Sequence, residues 1–215
     1  MSSVSTAQEQ LFFVYDPMCS WCWGYRPTWL TLQQAIQAQL PNIEITYLVG
    51  GLAADSNKEM PLEMQQFLKQ TWQKIGHQLG TKFNLAFWDL CQPRYSTYPA
   101  CRACIIARQS GLEAQMILAI QEAYYLQAKN PSDNSTLIAL AGQIGINKKE
   151  FEEQLLCSQT QQQLLNEIQQ TQMLPIQGFP SLILRINQQD QTIPLHYQYW
   201  ENSFGVIEQA LNIRS

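Results

Sequence analysis

Charge is scarce in this chain. Lysine and arginine together number 13, aspartate and glutamate 17, and the formal net charge is −4. The isoelectric point is about 5.2, and no stretch gathers the basic side chains, so nucleic acid is not an expected partner. Histidine is nearly absent. His77 and His196 are the two present, and neither stands at ligand spacing to a cysteine, so no histidine-based metal site is expected. No apolar run approaches the roughly 18 residues that a membrane-spanning helix needs. The opening MSSVSTAQEQ has neither the charged nor the apolar region of a secretory signal, and the following LFFVY is too short to supply one. The expected location is therefore the cytoplasm, where thiols stay reduced and six cysteines do not make a disulfide scaffold. Internal repeats and linker-like stretches are also missing. The many glutamines are scattered in a way that suits solvated helix faces.

Bulky apolar material is plentiful. Hydrophobic residues make up 46%, with eight Phe, nine Tyr and six Trp, enough for one full core in one domain or one domain with a large insertion. LFFVYD, 11–16, is a continuous apolar run and predicts a strand buried on both faces. RPTWLTLQQAIQAQL carries Trp29, Leu32, Ile36 and Leu40 at helical spacing up to Pro41. NIEITYLVGGL alternates at Ile43, Ile45 and Tyr47 and stops at Gly50-Gly51, predicting a second strand. From there the pattern turns helical. PLEMQQFLKQTWQKIGHQLG places Met64, Leu68, Trp72, Ile75 and Leu79 on one face. The stretch from Pro99 to about Met173 stays helical, with breaks at Gly111, NPSDNS and IGIN; Ser132, Asp133 and Asn134 are suited to capping. GFPSLILRI and TIPLHYQY then read as two strands around a turn at NQQDQ, and NSFGVIEQALNI as a closing helix with Phe204, Ile207 and Leu211 inward. The layout is α/β: residues 10–52 and 174–215 supply βαβ and ββα halves of one sheet, and 53–173 form an all-helical insertion.

The chemistry lies in DPMCSWCWG, where Cys19 and Cys22 stand two residues apart. Zinc would take about four ligands from two close pairs. Cys101 and Cys104 in PACRAC make a second pair, but far outside the spacing of zinc modules, so no metal is expected. A structural disulfide closing so small a loop would stabilise little. Disulfide exchange has a positive case. A helix starting at or just after Cys19 points its unpaired N–H groups and its dipole at that sulfur, favouring the thiolate, which is the reactive form. Cys22, one turn on, can attack a mixed disulfide and release the substrate. A CxxC that follows a buried strand and opens a helix of a βαβ unit is a specific signal. Cys101 and Cys104 read as helix packing, with a relay to the first pair as the alternative; Cys91 and Cys157 read as packing.

With DPMCSWCWGYRP, the MQQFLKQTWQKIGHQLG helix, STYPACRA and GFPSLIL in place, the chain resembles the DsbA-like thioredoxin-fold proteins with the helical insertion of the FrnE type. That group is itself similar to 2-hydroxychromene-2-carboxylate isomerases and kappa glutathione transferases. The resemblance covers nearly the whole chain and implies a thioredoxin-like fold (βαβ…ββα) with thiol–disulfide oxidoreductase or isomerase activity. It makes Cys19 the nucleophile and Cys22 the resolving thiol. Pro180, which a strand start tolerates in either isomer, becomes the cis-proline facing the dithiol. Trp21, Phe179 and Pro180 are then the expected substrate contacts, within an aromatic rim of Trp21, Trp23, Tyr25 and Phe179 whose alternative is plain core. Protein or small-molecule thiols and disulfides, glutathione among them, are the implied partners, and no cofactor is implied. Two departures stand out. The transferases and isomerases carry serine where Cys19 stands, which favours exchange over the alternative of a glutathione-dependent transferase or isomerase. The buried acid that many thioredoxins carry six residues before the first cysteine is Phe13 here; Asp16 is nearer, in the loop.

Overall fold

A computed structural model describes residues 9–212. Residues 1–8, on which the reading of the polar opening rests, and 213–215, at the end of the expected closing segment, lie outside it. Strand β1 (Gln10–Tyr15) is the apolar run, and Leu11, Val14 and Tyr15 are all but fully enclosed. It sits inside a four-stranded sheet of order β2-β1-β3-β4, where β2 is Glu44–Val49, β3 Ser181–Ile186 and β4 Gln189–Ile193. β1 runs parallel to β2, with Tyr15 opposite Val49, and antiparallel to β3, with Phe12 opposite Ile183. Leu11, Phe13 and Tyr15 enter one buried cluster and Phe12 and Val14 another, so both faces of β1 are covered and its sequence does not alternate.

Between β1 and β2 runs α1 (Ser20–Gln39), which buries Trp29, Leu32 and Ile36. Phe13 points to the same side and stacks on Trp29 with ring centroids 4.2 Å apart, while the Trp29 indole N–H donates to the Tyr47 hydroxyl at 2.8 Å. Each such fully buried large side chain contributes about 1.5–3 kcal/mol through removal of apolar surface from water.

The described elements between β2 and β3 are all helical: α2 (Leu62–Leu79), α3 (Phe87–Leu90), α4 (Tyr98–Arg108), α5 (Glu113–Tyr125), α6 (Asn134–Gln143), α7 (Lys148–Leu156) and α8 (Ser158–Gln172). The closing helix α9 is Trp200–Asn212. The core is shared, since one cluster of buried residues runs from Leu11, Tyr15 and Trp29 through Trp72 on α2 to Ala100, Tyr125 and Leu164.

Several sequence expectations are corrected. The second hairpin strand is not TIPLHYQY. Asn187 and Gln188, with φ of 51° and 66°, make a tight two-residue turn, so β4 begins at Gln189 and ends before Pro194, whose missing N–H cannot extend the ladder. The helical stretch breaks once more than expected, at Cys157, which separates α7 from α8. Asp133 precedes α6 as its cap residue, but its carboxylate turns to Arg94 instead of the helix N–H groups. On α9 it is Ala210, more than Leu211, that lies inside. Of the expected α2 face only Trp72 and Ile75 are buried; Met64 and Leu68 line a groove described below, and Leu79 is half-buried away from it.

Candidate active site

Cys19 is the residue just before α1, in extended conformation (φ −78°, ψ 120°), so the first N–H groups of the helix face the loop it belongs to. Its sulfur donates to the Phe179 carbonyl oxygen at 3.4 Å, and the Phe179–Pro180 peptide bond is cis, as expected. Pro180, the first residue before β3, is buried behind Phe179. Cys22 is one turn into the helix and 2% exposed, against 7% for Cys19. Burial pushes the Cys22 thiol well above the usual thiol range, and its hydrogen bond to the Cys19 sulfur adds to this. Cys22 is thus a protected thiol beneath a partner that meets the surface.

The loop is held from several sides. Asp16, in the loop as its position suggested, is nevertheless fully enclosed. One carboxylate oxygen accepts from Met18 N at 2.8 Å, and the other accepts from Leu52 N at 2.8 Å and the Thr97 hydroxyl at 2.7 Å. Burial raises its pKa against the pull of these bonds. Tyr125 on α5 donates to Met18 O at 2.7 Å, and the Trp72 indole on α2 donates to Ser20 Oγ at 3.0 Å. Residues 16, 18 and 20 are each tied to a different part of the helical segment, which fixes the turn that presents Cys19.

Beside Cys19 opens a groove of about 310 Å³. Met60, Met64, Phe67 and Leu68 form one wall, and Trp21 and Phe179 border the cysteine. Phe67 is 61% exposed and carries the apolar wall out to the surface. The one charged residue in the lining is Arg94, and it is already engaged with Asp133 at 2.5 Å and Ser132 O at 2.6 Å. The aromatic rim is smaller than expected. Tyr25 is completely buried, and Trp23 faces away, stacking on Tyr125 and donating to Lys82 O at 3.1 Å.

Gly50 makes the Phe179 position available. A Cβ there would lie 2.0 Å from the Phe179 ring, closer than atoms can pack. Gly50→Ala is expected to push the ring toward the groove and move the carbonyl that Cys19 contacts. The result should be roughly a tenfold loss of exchange rate and about 1–3 kcal/mol of stability, read by insulin reduction and urea unfolding. An unchanged rate would show that the ring's place does not matter to the chemistry.

The remaining cysteines divide. Cys101 and Cys104 on α4 are wholly buried, and burial pushes both thiols well up. Cys101 donates to Asp16 at 3.5 Å. Cys91 is half-buried and donates to Ala128 O at 3.0 Å. Cys157 departs from the packing expected of it. It stands at the N-terminus of α8, where the hydroxyl and the N–H of Thr160 hydrogen-bond its sulfur and hold it below the usual thiol range. Among the described residues no group of three or more His, Cys, Asp or Glu is placed to hold a metal ion, and no helix is long and apolar enough to cross a membrane. His77 is exposed, and the His196 ring lies 3.4 Å from the Asn202 amide. Sequence reasoning did not single out Thr97, Arg94 or Tyr197, whose relation to the dithiol exists only after folding.

The family model of the DSBA-like thioredoxin domain matches residues 10–202. Among solved structures, a Nitrosomonas europaea protein named as a candidate protein disulfide isomerase superposes with a TM-score of 0.82 at 24% identity, covering 97% of this chain and 100% of that one. The cytosolic disulfide reductase DsbM from Pseudomonas aeruginosa gives 0.75 at 19% identity over 95% of this chain and 99% of its own; it has also been solved with GSH. Among curated proteins, the ClpXP adapter protein SpxH of Halalkalibacterium halodurans is 23% identical over 199 residues. That match takes in 88% of this chain and 64% of the adapter, so this chain spans less than two thirds of the relative's length. At these identities the structural likenesses speak for the fold.

Proposed function

This chain belongs to the DSBA-like thioredoxin-domain family, and from that premise we propose that it is a thiol–disulfide oxidoreductase or isomerase that works through Cys19 and Cys22. The observation that carries the reading is the placement of the Cys19 sulfur. It sits at the head of α1, 3.4 Å from the carbonyl that precedes Pro180, at the edge of an apolar groove, with a buried thiol one turn behind it.

The Cys19 thiolate attacks one sulfur of a substrate disulfide. A Cys19–substrate bond forms, the substrate S–S bond breaks, and the other substrate sulfur leaves with the electron pair and takes a proton from solvent. Cys22 then gives up its proton and attacks the Cys19 sulfur. The Cys19–Cys22 bond forms, the remaining substrate sulfur leaves, and the substrate has been reduced by two electrons at the expense of the dithiol. Run backward, the same steps oxidise; run with release before completion, they reshuffle.

Residues 10–52 and 174–215 are assigned to the thioredoxin-like part that holds the dithiol, and 53–173 to the insertion that supplies the groove wall. Trp21 and Phe179 are placed to contact substrate at the cysteine, and Pro180, which has no N–H, leaves the Phe179 backbone free to meet an extended chain. The apolar, nearly uncharged groove supports polypeptide disulfides as substrates. Glutathione, found with the DsbM neighbour, is a candidate small thiol for recycling the pair, and the cytoplasm is the setting this reading assumes.

Dithiothreitol-driven reduction of insulin tests the proposal. The protein should accelerate it, and Cys19→Ser should remove the acceleration. A protein that leaves insulin untouched but conjugates glutathione to an electrophile, with Cys19→Ser still active, would favour the transferase reading.

A further inference from the structure

To resolve a mixed disulfide, Cys22 must lose its proton inside the fold, and burial opposes the charge this leaves behind. Most of what faces the sulfur does not help. From the loop before α1 come Cys19, whose charge opposes a second one, and Asp16, whose backbone N–H hydrogen-bonds the Cys22 sulfur but whose carboxylate repels it. Tyr125 faces it from α5, with its hydroxyl committed to Met18 O. Tyr197 faces it from the segment before α9, its ring packed edge-on against Trp21 and Tyr25.

Cys22 also lines a narrow crevice of about 20 Å³ between α1, the sheet and α5. Tyr15 and Tyr47 reach it from β1 and β2, and Gln121 from α5. The amide is neutral, and burial raises both phenols, so they are neutral as well. Among the described residues Arg26 is the one charged side chain in the lining. Cys22 and Arg26 stand four positions apart on α1, the spacing that puts two side chains on one face of a helix with Cβ atoms about 5–6 Å apart.

Arg26 is also uncommitted. Arg94, Arg102, Arg108 and Arg185 each grip a carboxylate directly. Arg26 makes no hydrogen bond or ion pair among the described residues. Burial lowers its pKa, and Tyr47 and the Glu122 carboxylate on α5 are near enough to be felt without bonding to it. A guanidinium stays protonated all the same. It is a half-buried cation with no bonded anion, opening onto the same space as a thiol that must become one.

We propose that the Arg26 guanidinium is the countercharge to the Cys22 thiolate in the resolving step, acting across the crevice that both side chains line, an inference that rests on the exchange reading above. It is a positioning residue for charge: no bond to it forms or breaks, and the Cys22 proton leaves to solvent. The attack by Cys19 comes before Cys22 ionises and does not draw on it.

The test uses the full chain carrying Cys91→Ser and Cys157→Ser, which removes the two thiols outside the buried set. Reduced protein is mixed with 4,4′-dithiodipyridine, a chromogenic disulfide without charge, so that loss of a cation does not alter its approach. Thiopyridone release is followed by stopped flow at several pH values. Attack by Cys19 releases the first equivalent at a rate that rises with reagent concentration, and resolution by Cys22 releases the second at a rate that does not. Arg26→Gln should leave the first phase within about twofold and slow the second about tenfold at pH 7, with the second-phase midpoint about one pH unit higher. The difference should close at high pH, where Cys22 is ionised in both proteins. Arg26→Lys, which keeps the charge, should bring the second phase back to within about threefold of the parent. A second phase that Arg26→Gln leaves unchanged in rate and midpoint, an equal slowing of both phases, or an Arg26→Lys protein as slow as Arg26→Gln would overturn the role given to Arg26 while leaving exchange intact. A parent protein that releases nothing from Cys19 would overturn the exchange reading itself, and this inference with it.

Discussion

Cys22→Ser is expected to stall the protein on its substrate. When reduced protein is mixed with insulin at equal concentration and no other reductant is present, the natural chain should end with free insulin thiols. The variant should end with an insulin chain linked to Cys19. The reason lies in the depth of the two sulfurs. Cys19 meets the groove and can attack without Cys22, so the first bond still forms. The second sulfur is 2% exposed and covered by its neighbours, and no other described cysteine stands within the same helical turn to replace it. Serine is isosteric enough to leave the α1 packing in place, yet its hydroxyl is not a nucleophile at neutral pH. Release of insulin thiols should fall at least about a hundredfold, with the adduct visible on a non-reducing gel and lost on reduction. Free thiols at the natural rate with no adduct would mean that Cys22 resolves nothing.

The second large effect is expected in stability. Arg108 at the end of α4 clamps two carboxylates. It holds Glu113 on α5 at 2.8 and 2.6 Å and Glu167 on α8 at 2.8 and 3.0 Å. Those carboxylates in turn hold the sheet: Glu113 accepts from the Tyr15 hydroxyl at 2.8 Å and Glu167 from Val49 N at 2.6 Å. Three helices and the C-terminal ends of β1 and β2 meet in one cluster. Glu113 and Glu167 are 13% and 11% exposed and Arg108 is 35%. Arg108→Leu would leave two mostly buried acids without their cation. Breaking a buried pair costs about 3–5 kcal/mol, and the partial exposure of Arg108 brings the expectation to about 2–4 kcal/mol in urea unfolding at pH 7. The sign of its pH dependence follows. Burial already raises Glu113, against the pull of the Arg108 guanidinium, and without that guanidinium this acid in the folded variant is raised further above its unfolded value. The folded variant then binds protons more readily than the unfolded chain, so its deficit should shrink as the pH is lowered toward 5. Arg108→Lys, which keeps the charge without the fork, should recover only part of the loss. A deficit under about 1 kcal/mol that does not change with pH would show that the cluster does not hold these elements together.

The difference between what could and could not be read from the chain follows sequence distance. The unbroken apolar β1, the CxxC that opens α1, the helical stretch and the proline before β3 are local patterns, and each is found where the pattern puts it. The failures at close range have local causes as well. Pro194 ends the strand that the TIPLHYQY pattern carries through it, and of the turn expected over NQQDQ only Asn187 and Gln188 turn, the other three residues opening β4. The site's supports are of another kind. Thr97 reaches Asp16 across 81 positions and Tyr125 reaches Met18 across 107. The ring of Tyr197 comes onto α1 from beyond β4. No spacing rule connects such residues; only the folded sheet and helices do. Asp16 illustrates both sides: its place beside the cysteines was plain, but its complete burial depends on Leu52 and α4 closing over it.

The most direct test of the central claim is a map of which cysteines pair when the protein is brought to equilibrium with mixtures of reduced and oxidised glutathione. After acid quenching, alkylation of free thiols and proteolysis, mass spectrometry should find Cys19 joined to Cys22. The linked fraction should follow the glutathione ratio reversibly, while Cys101 and Cys104 stay alkylated as free thiols once the chain is unfolded for labelling. A protein in which Cys19 and Cys22 remain reduced across the whole range, or in which another pair takes up the oxidation, would contradict the account.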